Sequence, residues 1–172
     1  MHKELLAALQ AIDATIGHLT PDVIGRKRGD RWSIGEILEH LTLAFTISAD
    51  ALEKAVASGE RRVRRPSLKQ TAARIVVLDL GYFPRVKAPE MTLPSGTIDP
   101  AESLAAIRGG LARVDRALTS AAAKFGERVA VLNHPFFAGL SVAQWRTLHS
   151  RHTLHHMRQV REMGTLNLTL SR

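Results

Sequence analysis

The sequence predicts an all-α fold: a four-helix bundle with a long crossover and one short extra helix. Three observations predict it. Four long stretches repeat apolar residues three and four apart, the pattern of a helix with one buried face. Two of them open on a capping box, Ser33 with Glu36 and Ser141 with Gln144. The second and third are separated by a segment holding Pro84, Pro89 and Pro94, which suits a crossover between distant helices. No repeat, low-complexity segment or second core interrupts the pattern, so residues 1–172 read as a single domain.

The first helix is expected over Lys3 to Leu19. Leu5, Leu6, Leu9, Ile12, Ile16 and Leu19 make its apolar face, and Pro21 ends it. The polar link DVIGRKRGDR is rich in charge and glycine, hence exposed. The second helix starts at Ile34 and runs to about Ser58, with Gly59 as its C-cap. Ile37, Leu38, Leu41, Phe45 and Leu52 form its core stripe, and His40 sits at the stripe's edge beside small Ala44, half inside. A short helix follows over Leu68 to Leu80. Its run ARIVVLDL has β-branched content, but no second strand is evident to pair with it. Residues 81–99 are a long irregular connection, the kind that often lies over a functional site. Asp99, Pro100 and Glu102 then open a helix over Ala101 to Lys124. After the connection FGERVAVLNHPFFAGL, the last helix runs from Val142 to Met163. Gly164 stops it, and the alternating tail TLNLTLSR packs as an extended strip.

Composition removes several kinds of chemistry. The chain has no cysteine, which excludes disulfides, protein thiolates, Fe–S clusters and cysteine zinc sites. Any metal is held by His, Asp, Glu or water, and any thiol comes from a cofactor or substrate. The apolar runs are too short to span a membrane, and the N-terminus has no signal-peptide pattern, so a cytoplasmic protein is expected. The formal charge is +8 with pI near 10.8. Part of that excess is Arg61, Arg62, Arg64 and Arg65, a run with no interleaved aromatics. It reads as a solvated stretch, and nucleic acid is not an expected partner.

The chemistry concentrates in WRTLHSRHTLHHMRQVREM, residues 145–163. His152 and His156 stand one turn apart on a helix and can point at one ion. With His40 from the second helix they make three candidate metal ligands on facing helices. Three imidazoles leave coordination positions open, the pattern of a reactive site. Zinc, nickel or iron is expected, and copper also suits such ligands. His149 and His155 flank the pair, each about 60° to either side of His152. His149 is a spare ligand or supporting group, and His155 is a partly exposed side chain. Gln159 is placed to orient an imidazole or bound water, and Glu36 to accept the second N–H of His40. Trp32 and Trp145 are apolar anchors. His134 lies in a loop that reaches the bundle end, and His2 and His18 lie at the surface. Because imidazole binds metal only when neutral, metal binding should weaken as pH falls through roughly 6 to 5.

The stretches WSIGEILEHL and HTLHHMRQV resemble the DinB-like (DinB/YfiT) superfamily, and residues 134–160 resemble its DUF1569 branch. The resemblance implies a four-helix bundle, a homodimer, and a divalent metal on His40, His152 and His156. Some superfamily members are similar to transferases and isomerases that use a low-molecular-weight thiol, so a small-molecule substrate and a thiol cofactor are expected. The DUF1569 branch brings no activity of its own. Two readings follow: a metal-dependent transferase or hydrolase, or a non-catalytic metal- or ligand-binding bundle of the stress-response type. Binding of nucleic acid through the arginine run is a weaker third.

Overall fold

The computed structural model describes residues 1–27, 29–61, 63–84 and 86–170, with side chains described as far as Met163. The chain is mostly helical. In order it forms α1 (Lys3–Ile16), α2 (Pro21–Gly25), α3 (Ile34–Ser58), α4 (Leu68–Arg74), α5 (Ser103–Phe125), the strands β1 (Ala130–His134) and β2 (Ala138–Ser141), and α6 (Val142–Leu170). α3 packs along α5, and α1 along α6, with further contacts joining α5 to α6 and α1 to α5. Leu5, Ile12, Leu38, Leu41, Phe45, Leu52, Ile107, Leu111 and Leu118 are completely buried between them. Most of these are positions at which the sequence repeats apolar residues three and four apart. Among the described residues, no helix is long and apolar enough to cross a membrane.

Both capping boxes form. The Ser33 hydroxyl accepts from Glu36 N while the Glu36 carboxylate accepts from Ser33 N, at 3.1 and 2.7 Å. Ser141 and Gln144 repeat the exchange at the start of α6. A third box, Ser67 with Gln70, starts α4. Gly59 closes α3 in the left-handed conformation, where a side chain would be strained.

Five expectations are corrected. The fold is not purely helical: residues 130–141 form an antiparallel hairpin, with Leu132 opposite Leu140 and His134 opposite Ala138. The apolar runs AVL and AGL are each too short to stand out, and only pairing reveals them. Pro21 does not merely end α1, which stops at Gly17; it opens α2 at the position where a missing N–H costs nothing. The short helix after Ser67 changes to a π-turn over Ile75–Asp79. α5 starts at Ser103, because a turn over residues 100–102 comes first, with Asp99 Oδ1 accepting from Ala101 N. Finally, α6 does not stop at Gly164, and the segment expected as an extended strip is helical as far as Leu170. An interior glycine weakens a helix by about 1 kcal/mol but does not forbid one. Ser171 and Arg172 lie outside the described residues.

The arginine run is an arm against the hairpin. Gly139 N donates to Arg64 O, and Arg64 N donates to Asn133 Oδ1 at 2.8 Å. A Cβ at Gly139 would stand 2.2 Å from Val63, so only glycine admits this arm. The side chains of Arg61, Arg64 and Arg65 are exposed, as the solvated reading expects. Arg62 lies outside the described residues.

Candidate metal centre

α3 presents His40 from its buried face, between Ile37 and Leu41. The residue is buried, more deeply than its place at the stripe's edge suggests. α6 presents His152 and His156 one turn apart, next to buried Thr153, Met157 and Val160. The three rings converge. His152 Nε2 lies 3.3 Å from His40 Nε2 and 3.0 Å from His156 Nε2, and one ligand atom from each residue falls within 4.8 Å of the others. The group can hold a metal ion.

The outer nitrogens show why these atoms face inward. Nδ1–H of His40 donates to the Thr92 carbonyl at 2.8 Å. A carbonyl oxygen only accepts, so the ring carries its proton on Nδ1 and turns the Nε2 lone pair to the centre. His156 is fixed likewise: Nδ1 bonds Gln159 Oε1 at 2.7 Å, and the Gln159 amide N–H in turn reaches His155 Nε2 at 3.2 Å. Two lone pairs thus meet at His152, and a single proton on that ring satisfies only one of them. A divalent cation satisfies all three nitrogens, so the donor set fits a metal. Burial, aided at His152 and His156 by the other rings, lowers the pKa of all three, that of His156 to about 3. All are therefore neutral, and able to ligate, at ordinary pH.

The crossover supplies the rest. Thr92 belongs to a short 3₁₀ turn over Glu90–Thr92. A few residues on, Glu39 clamps the chain: its carboxylate accepts from Ser95 N, Ser95 Oγ, Gly96 N and Thr97 Oγ1, at 2.8–3.2 Å. Burial alone would raise the Glu39 pKa, but these bonds outweigh it and hold the group below the usual carboxylate range. Glu39 and Thr92 carry no signal in the sequence. One looks like a polar helix position, and the other acts through its backbone.

The remaining candidates separate. Gln159 orients His156, as expected. Glu36 does not reach His40; its carboxylate is used by Ser33 N and Lys27 Nζ, because the cap claims it. His149 is not beside the triad. It is buried between Phe45 and Trp145, at ring centroids of 5.4 and 5.6 Å, and its Nε2 has no hydrogen-bond partner. His155 is half-buried and stacks on Phe83, which also stacks on His152. His134 sits on β1 rather than in a loop, stacked on Phe137 and edge-on to Trp145. Trp32 packs against the His40 ring at 5.2 Å, and so borders the site instead of merely anchoring the start of α3. His2 caps α1 through its ring nitrogen, a role the surface reading missed, and His18 is exposed.

A cavity of about 1640 Å³ opens onto the triad. It runs past Phe83, Ala44 and Val76 to Phe137 and Trp145, and His152 is the half-buried histidine of the three.

Comparison with curated proteins finds no match, and comparison with solved structures finds none either. A family model described as a protein of unknown function, DUF1569, matches residues 3–163. That span takes in His40, His152, His156 and every residue that supports them, and the chain belongs to the DUF1569 family.

Proposed function

We propose that the protein is a DinB-like four-helix bundle carrying a divalent metal on His40, His152 and His156, and that it acts as a metal-dependent transferase or hydrolase. One observation carries the reading: the Nε2 atoms of three imidazoles converge, and Thr92 and Gln159 hold the protons of two of the rings on the far side. A structural cluster would be expected to share protons among its nitrogens. Zinc, nickel or iron suits the set. Bound there, such an ion would lower the pKa of a thiol or water and make it a nucleophile near neutral pH.

The chain's own part is positioning. Thr92 and Gln159 fix two ligands, Phe83 stacks over the third, and the cavity admits a substrate beside it. His149 and Glu36 do not serve as bases, since one is packed against Phe45 and the other is held by the cap; His155 supports the site through Gln159. Its ring lies 5.2 Å from that of His156. A low-molecular-weight thiol as co-substrate is consistent with a chain that has no cysteine.

The test is elemental analysis of purified protein together with the single variants His40→Ala, His152→Ala and His156→Ala. About one transition metal per chain, lost in each variant along with turnover of thiol–electrophile or hydrolytic substrates, is the expected result. A variant that loses metal and keeps full turnover refutes the catalytic role. Metal binding with no turnover leaves the non-catalytic metal-binding bundle.

A further inference from the structure

The cavity beyond the triad has a chemistry of its own. Its walls are apolar and aromatic, and small Ala44, Ala51 and Ala73 leave it wide. Large apolar side chains lining it stand open to solvent: Leu80 is 72 % exposed, Tyr82 64 % and Val86 63 %. Exposed apolar groups gathered around a concave site mark a surface that a ligand covers.

The charges at this cavity are unequal. Lys69 on α4 and Lys87 on the crossover both line it, both are exposed, and neither has a hydrogen-bond or carboxylate partner among the described residues. Arg158 on α6 adds a third exposed cation. Glu162 is the one carboxylate among the lining residues, and it is already engaged. Cations left unpaired around an apolar hollow favour an anion that carries a hydrophobic body.

We infer that the cavity binds an amphipathic organic anion, its apolar body against the aromatic wall and its carboxylate or sulfonate at an unpaired lysine of the rim, Lys69 or Lys87. Given the metal reading above, the group that reacts is the one that reaches the triad, and the substrate class is an amphipathic acid. Binding itself needs only the cavity and its rim.

The experiment is calorimetric titration of the full chain, chelator-treated and metal-loaded, with decanoate, decyltrimethylammonium and decanol. Decanoate should saturate one site per chain at least tenfold more tightly than the alkyl cation, in both forms of the protein. The double variant Lys69→Glu/Lys87→Glu, altered only at exposed positions, should lose at least tenfold in decanoate affinity and keep decanol within about twofold. Ala73→Trp, which fills the hollow, should weaken all three ligands. Absent decanoate binding, equal binding of the alkyl cation, or indifference to the charge reversal overturns the inference. So does decanoate binding confined to the metal-loaded form, which would place the carboxylate on the ion instead. A chain that takes decanoate but no metal refutes the metal site alone, and one that takes metal but no decanoate refutes this inference alone.

Discussion

Buried imidazoles behave here in two ways, and solvent protons distinguish them. His149 is held to a pKa of about 3 by burial, with a smaller effect of His134, which burial holds to about 4. Above pH 6.5 each ring is neutral folded or unfolded. As pH falls from 6.5, the unfolded chain takes up protons that the folded one refuses, so stability declines toward pH 3. Each such ring costs about 2 kcal/mol between pH 6.5 and 5. His149→Phe should flatten that acid limb, read as urea midpoints at pH 7, 5 and 4, and should cost little at pH 7, where it removes an unpartnered nitrogen. The three triad imidazoles are also held below 6.5 by burial. Metal should therefore stay bound to lower pH than an ordinary histidine pKa implies. Bound metal followed alongside circular dichroism checks this. Gln159→Leu should weaken metal binding by about 10–100-fold while the metal-free protein melts as before. His152, His156 and Gln159 were legible because α6 repeats them on one face, and His40 because it lies at the edge of the apolar stripe of α3. Thr92 was not, because a carbonyl has no sequence signature, and Glu39 was not, because its partners lie 56–58 residues away. His149 lies within about 20° of His156 in helical phase but two turns before it, roughly 10 Å along the axis, and that displacement sets it against Phe45 instead of in the triad.

At the scale of elements, local signals did most of the work where caps and apolar spacing coincide, as in α3 and α6. They failed where an element exists only through its partner, as in the hairpin, or where a residue is permissive, as at Gly164. The α3–α5 contact shows a constraint of a different kind. A Cβ on Gly110 would stand 3.4 Å from Phe45, in close contact, with no room for more. Gly110→Ala should be near neutral, its gain in helix propensity offset by tight packing. Gly110→Leu should destabilise by about 1–3 kcal/mol, measured by chemical denaturation, and through Phe45 should disturb the helix that presents His40.

Across the whole molecule, the proposed ligands join two helices that the rest of the fold packs against different neighbours. A metal held by both favours the folded state. At one hundred times its dissociation constant it should add about 2.7 kcal/mol, or some 5–10 °C in melting temperature. Chelator should reverse the gain, and His152→Ala should never show it; scanning calorimetry with and without metal decides. The same connectivity bears on how the site comes into being. Thr92 follows His40 by 52 residues and His152 follows it by 112. Because a ribosome releases the chain from its N-terminus, His40 and the carbonyl that aims it emerge well before the other two imidazoles exist. A nascent chain therefore offers only a single nitrogen, too weak a hold to compete for scarce cellular ions. Acquisition of the proposed ion would therefore wait for α6.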